Sequence, residues 1–195
     1  MQPPATEREF YTFIVGPKSS WTNGQDQRLR IRMPVRFVEL TPEQLRHDHM
    51  EVGQFTFAVR FPSGIPVPHD QLSGRDVILL TAAWDPSDGV KRRVDGSWHN
   101  YYSRYSVRID DANDMQQFKS SDSYDDSRLF VSVDKKTIVE CKHILGKKLM
   151  PCHLMSNGGD HLTIEANFDR SMLGNWRDIV LFARKIISDV VQNRG

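Results

Sequence analysis

Apolar and polar residues alternate with a period of two in several separate stretches, and the longest run with a helical period lies near the C-terminal end. The alternation predicts strands over 10–15, 28–40, 55–61, 101–110, 128–134 and 162–168, and a hairpin whose arms are 137–143 and 149–155. In the second of these, Leu29, Ile31, Met33, Val35 and Phe37 alternate with Arg28, Arg30, Arg32 and Arg36. That spacing describes a half-buried strand with a basic outer face. Pro34 falls on the arginine side and marks an edge or a bulge, because proline cannot donate to a ladder. Phe55, Phe57, Val59 and Phe61 repeat the pattern, as do Leu162, Ile164, Ala166 and Phe168. The unbroken apolar run 77–83 reads as a central strand, with 101–110 as its antiparallel partner and Tyr101, Tyr105, Val107 and Ile109 on one face.

The helical stretch follows Ser171, an N-cap candidate. Leu173, Trp176, Val180, Ala183, Ile187 and Val190 form one apolar stripe, while Arg177, Asp178, Lys185, Ser188 and Gln192 face away. Such a stripe needs a sheet to cover. Leu181 projects on the polar side, either as a second contact or as a scattered surface residue. A second, short helix is predicted near 42–48, with Thr41 as N-cap, Pro42 in the first turn and Gln44 completing a capping box. It carries His47 and His49 on different faces, a spacing unsuited to a metal pair. Residues 62–68, with three prolines, read as a rigid extended connector. Together these elements predict an α+β fold in one domain, 1–195: a mainly antiparallel sheet, one face covered by the long C-terminal helix. Residues 1–9 are expected to be flexible, 84–100 to form a protruding loop and 111–127 an acidic loop.

Two cysteines are too few for a disulfide scaffold, so their placement matters more than their number. A type II′ turn at Gly146-Lys147 sets Cys141 opposite Cys152 and Pro151 opposite Lys142, where no ladder donor is needed. The same register makes the cysteines a hydrogen-bonded pair, the less comfortable geometry for a cross-strand disulfide. A looser turn would relieve that and bring Pro151 into a bonded position. A Cys141–Cys152 disulfide implies an oxidising compartment such as a periplasm, the alternative being two buried thiols in a cytoplasmic protein. The N-terminal residues lack the basic and apolar regions of a signal peptide, as a mature domain with its signal removed also would. With 26 basic against 25 acidic residues, the charge balance argues against a nucleic-acid binder, and no apolar run reaches a membrane span.

Candidate chemistry concentrates between the two aromatic ends of the long loop. Two Asp-Gly steps, Asp88-Gly89 and Asp95-Gly96, suggest a small hairpin carrying Lys91, Arg92 and Arg93, with Trp84, Trp98, His99, Tyr101 and Tyr102 around its base. Aromatics beside basic side chains make partner-binding hot spots, so Trp84, Arg92, Arg93, Trp98, His99 and Tyr102 are the binding candidates. Arg30 and Arg32 form a second patch, either a docking stripe for an acidic partner or phosphate, or a solvated face salt-bridged to its neighbours. Asp110, Asp111, Asp114, Asp122, Asp125 and Asp126 could offer oxygens to calcium, but the EF-hand order is absent and a solvated loop is the plainer reading. No metal or other cofactor is expected. The Gly-x-Ser-x-Gly, Walker, His-Glu-x-x-His and dinucleotide motifs are all missing. A hydrolase built from His99 with Asp85 or Asp88 stays open. Cysteine chemistry aided by His143 or His153 is disfavoured, since strand neighbours point to opposite faces.

One resemblance adds to this. The segment 137–191, with Cys141 and Cys152 flanking a hairpin, a strand ending Asn167-Phe168-Asp169-Arg170 and a helix beginning Leu173-Gly174-Asn175-Trp176-Arg177, resembles the C-terminal part of periplasmic immunity proteins of bacterial type VI secretion effectors. The resemblance covers under a third of the chain. It implies a non-enzymatic protein in the periplasm that neutralises a secreted toxin by blocking its active site. The alternatives are an enzyme with its site at 84–102, or a cytoplasmic adaptor or ligand-binding module with reduced cysteines.

Overall fold

The computed structural model describes residues 9–16, 21–22, 25–26, 28–35, 38, 40–68, 71–85, 105, 107–112, 114–122, 126–142, 151–158 and 162–192. The strands are β1 (Phe10–Val15), β2 (Trp21–Thr22), β3 (Gln25–Asp26), β4 (Leu29–Pro34), β5 (His49–Val52), β6 (Gln54–Arg60) and β7 (Val77–Trp84) in the first half. The second half has β8 (Val107–Ala112), β9 (Met115–Lys119), β10 (Arg128–Ser132), β11 (Thr137–Cys141), β12 (Pro151–Asn157), β13 (Leu162–Asp169), helix α1 (Trp176–Val190) and β14 (Val191–Gln192). The α+β class is as expected, but the strands divide. Eight build an antiparallel sheet ordered β6-β7-β13-β12-β11-β10-β9-β8, and four build a smaller one ordered β14-β4-β1-β5. The β1–β5 pair is parallel.

The period-two pattern explains where the core sits. Phe57, Leu80, Ala166, Leu154, Val139 and Phe130 are register partners in turn across six neighbouring strands, so one apolar row crosses the large sheet. That face packs with Phe13, Val15, Leu29, Ile31 and Met33 of the small sheet and with Leu173, Trp176, Val180, Ala183 and Ile187 of the C-terminal helical segment in one core. Ile179 is buried with them. The opposite face carries two smaller clusters, Ala58, Val67 and Val77 in one, Tyr105, Leu129, Val131, Ile138 and Met155 in the other. The continuous apolar run in β7 follows, because that strand meets packed side chains on both faces.

Several local expectations are corrected. The partner of β7 is not 101–110: β7 lies between β6 and β13, and β8 pairs with β9 at the far edge. Alternation tells which face a side chain takes, not which strand lies beside it. The basic strand stops at Pro34 instead of running to residue 40, and Val38 N donates to Val35 O in a turn. On its outer side β14 pairs with β4 only at Ile31 and Arg30, so Pro34 sits where that side of the strand has no ladder partner among the described residues, as a residue without an N–H requires. Gln192, expected on the helix, therefore lies in a strand, and the side chains of Val190 and Gln192 are outside the described residues. The short helix reduces to a 3₁₀ turn, Gln44–Arg46, followed by His47, while His49 opens β5. Its capping box is nonetheless present: Gln44 N donates to Thr41 Oγ1 (3.2 Å) and Thr41 N to Gln44 Oε1 (2.8 Å). The proline-rich segment after β6 is no extended connector. It folds back on its own strand, with Gly64 N on Arg60 O (2.8 Å) and Val67 N on Ala58 O (3.0 Å), leaving Phe61 in the turn. Asp111, Ala112 and residues 115–119, expected within an acidic loop, lie in the antiparallel strands β8 and β9, and Asp114 between them has a φ of 58°. Glu9 O accepts from Val35 N (2.9 Å), which places the start of β1 beside the end of β4. The helical segment is capped by Asp169, whose carboxylate accepts from Ser171 N (2.9 Å), not by Ser171 itself.

Cys141 and Cys152 are opposite each other and joined in a buried disulfide. The ladder phase differs from expectation. Lys142 N donates to Pro151 O (3.1 Å), so that pair is the bonded one, with Pro151 serving as acceptor at the first residue of its strand. The cysteines then occupy the adjacent non-hydrogen-bonded site, with Cα atoms 4.0 Å apart, where side chains approach most closely. The turn at Gly146-Lys147 lies outside the described residues. Closing a loop with a sequence separation of 11 restricts the unfolded chain by about 3 kcal/mol. A Cys141→Ala/Cys152→Ala variant should lose about that much in guanidinium denaturation. Equal midpoints for variant and parent would show that the crosslink adds nothing.

The β10–β11 hairpin depends on one carboxylate. Asp134 Oδ1 accepts from Ser132 Oγ (2.6 Å) and Lys136 N (3.1 Å), and Ser132 Oγ accepts from Thr137 N (3.0 Å). The Ser132 hydroxyl, helped by the Lys136 amide, holds the Asp134 carboxyl below its ordinary pKa. A depressed folded-state value means stabilisation that is complete above the ordinary carboxylate range and fades as pH falls through the folded value. Asp134→Asn should therefore be less stable than the parent at pH 7, by about 1 kcal/mol or less at this exposed site. The gap should close below about pH 4; a gap constant from pH 7 to 3 in paired denaturation curves would contradict the assignment.

Candidate functional site

The outer face of the small sheet follows from the alternation in β4. Leu29, Ile31 and Met33 are buried, which turns Arg30 and Arg32 outward. On the same face β1 presents Phe10 and Thr12, and β5 presents His49 and Glu51. Thr12 is register partner to Arg32 on one side and His49 on the other; Ile14 lies between Arg30 and Glu51. The Arg32 guanidinium carbon stands 4.4 Å from the centroid of the Phe10 ring, and Phe10 is 40% exposed. Neither Arg30 nor Arg32 has a carboxylate partner among the described residues, in contrast to Arg28, which pairs with Glu51 at 3.0 Å. Phe10 and His49 were absent from the sequence-based candidates, although the parity of β1 and β5 could have pointed to them.

Arg28 joins this face to the base of the long loop. Its side chain is 9% exposed, and its stem lies beside Gly16 and Trp84. Gly16 has a φ of 125°, and a Cβ there would come within 3.0 Å of Trp84 Cγ. Only glycine allows the tryptophan to lie so near the chain after β1. Trp84, last residue of β7, is thus brought against the start of the arginine strand, a contact between segments far apart in sequence. Asp85, next to it, accepts from Thr163 Oγ1 (3.0 Å). Arg92, Arg93, Trp98, His99, Tyr101 and Tyr102, together with Asp88, His143 and Asp125, lie outside the described residues.

Several other charged groups are partnered locally. Asp111 pairs with Arg108 (3.3 Å), Asp114 with Arg177 (3.0 Å) and Asp126 with Arg128 (3.5 Å). His153 Nε2 is 3.1 Å from Glu165 Oε2, and the buried Glu140 accepts from Tyr105 Oη (2.9 Å). Among the described residues no three His, Cys, Asp or Glu side chains are grouped as metal ligands.

No family model matches the chain, and no curated protein is similar to it in sequence. Solved structures are similar in shape. Smlt3025, an immunity protein of the Stenotrophomonas maltophilia type IV secretion system, superposes with a TM-score of 0.59 at 10% identity, over 85% of this chain and 90% of that one. The iron-regulated outer membrane lipoprotein FrpD of Neisseria meningitidis gives 0.52 at 11% identity, over 98% and 96%. The chain shares their fold. The likeness to an immunity protein extends beyond the C-terminal segment that carried the sequence resemblance, and the neighbour's system is type IV where the sequence pointed to type VI.

Proposed function

We propose that this chain is a non-enzymatic immunity-type protein that binds a secreted bacterial toxin and blocks its active site. The observation that carries the reading is the outward pair Arg30 and Arg32, without carboxylate partners among the described residues and continuous through Arg28 with Trp84. An aromatic and basic surface of this kind suits an acidic cleft on a protein partner, where unpaired guanidinium groups find carboxylates in bidentate geometry. The shape shared with a secretion-system immunity protein supports it. Delivery of the toxin by a type VI system, or by a type IV system like the neighbour's, is the finer part of the proposal. The disulfide favours residence in the periplasm, and among the described residues no helix is long and apolar enough to cross a membrane.

The test is neutralisation. A toxin recovered by co-purification with this chain from its native host is expressed in the periplasm of a sensitive host, with and without this chain. Restored growth, together with a purified one-to-one complex, is the expected result. Full toxicity despite abundant soluble chain would overturn the proposal. Two titratable thiols in native protein from an oxidising compartment would overturn the periplasmic assignment.

A further inference from the structure

The large sheet ends at β6, and part of that edge is already taken. Val67 N donates to Ala58 O (3.0 Å) and Arg60 N to Ile65 O (2.8 Å), so the segment after the turn lies antiparallel against the strand around a Val59–Pro66 bridge. These two bonds fix the phase of β6. Alternate residues of an antiparallel strand aim their backbone groups to opposite sides. Phe55, Phe57 and Val59 therefore serve the ladder with β7, while Gln54 and Thr56 turn their N–H and C=O outward, as Ala58 does. No described residue bonds to the backbone of Thr56.

Exposed sheet edges are usually guarded by a charge, a proline or a bulge, and the stretch Gln54–Val59 carries neither charge nor proline. An open groove straddles this edge, with apolar banks on both sides of the sheet. Leu40 and Met50 form one bank, half-buried against the main core; Leu72 and Leu79 form the other, half-buried against the small cluster of the opposite face. What fits is a backbone that pairs with Thr56 and side chains that alternate onto both banks. A helix could cover the banks, but its own backbone bonds are spent internally. The return segment shows the same edge accepting extended chain one step further along.

We propose that the open part of β6 receives an extended apolar segment of a partner protein as an added strand. The inference rests on a sheet edge and not on the arginine face, so it stands or falls apart from the immunity reading. The probe is the peptide acetyl-Lys-Thr-Val-Ile-Val-Thr-Lys-amide, whose lysine ends keep it from the arginine face. In the protein alone, amide exchange read by NMR should be fast at Thr56 beside protected Phe55 and Phe57 amides. Peptide at saturation should slow the Thr56 amide about tenfold or more. N-methylating the central Ile and the Val after it blocks two adjacent amides, one of which must face β6 in any register, so affinity should fall about tenfold. Thr56→Pro removes an N–H that the folded chain does not use and should weaken peptide binding similarly, with circular dichroism confirming the fold. Thr56 protection equal to that of Phe57 in the dilute protein, no slowing with peptide, undiminished binding of the N-methylated peptide, or parent-like binding in a folded Thr56→Pro variant would each overturn the proposal. Protection of Thr56 that grows with protein concentration alone would overturn it in favour of a second copy of this chain.

Discussion

Truncating Trp176 to alanine lowers the unfolding free energy by about 3 to 5 kcal/mol, the cost of removing a large buried aromatic that its surroundings cannot refill. Trp176 is 8% exposed and stands where the 3₁₀ segment Arg170–Asn175 passes into α1, within the core shared by both sheets. Several elements pack around this one side chain, so relaxation into the vacated space is restricted. Leu181, five residues along the same helix and 63% exposed, is the control. Leu181→Ala should fall within about 0.5 kcal/mol of the parent, the usual range for surface substitutions. Guanidinium denaturation of the three proteins decides it, and a Trp176→Ala variant as stable as the parent would show that the apolar stripe does not hold the helix.

Reversing both charges on the outer face of β4, as Arg30→Glu with Arg32→Glu, should weaken binding to the toxin by about 100-fold or more. Like charges brought together at an interface cost several kcal/mol, and weaker steering slows association. Stability should change little. Both side chains are exposed, and within the fold the substitution removes the stacking of the Arg32 guanidinium on the Phe10 ring, worth about 0.5–1 kcal/mol at such a site. Association kinetics at two ionic strengths, with melting temperatures alongside, separate the effects. Parent-like affinity in the double variant would remove this face from the interface and leave the 84–100 segment, where Arg92→Ala and Trp98→Ala test the other candidate surface.

Much of this molecule was legible in its residues. The alternation in β4, β6 and β13 named the buried positions, the capping box at Thr41 and Gln44 formed as expected, and Cys141 met Cys152. Each of these depends on interactions within a few residues or across one hairpin, where spacing and side-chain chemistry nearly suffice. Phase was harder: whether the cysteines took a bonded or an unbonded site turned on the single bond from Lys142 N to Pro151 O.

The candidate surface was less legible. Arg30 and Arg32 could be read as outward from parity alone, but nothing local placed Phe10 beneath Arg32 or Trp84 against Gly16 and Arg28. Strand order is likewise not encoded in periodicity, which is why the alternation over 101–110 fits a partner of β7 while β8 lies at the opposite edge of the sheet. The same holds for the pairing of β14 with β4. Local pattern specifies which atoms must leave water. Which other segment removes them is decided by the packing of two sheets and a helix around one core, a choice among long-range pairings that becomes definite only when the whole chain is folded.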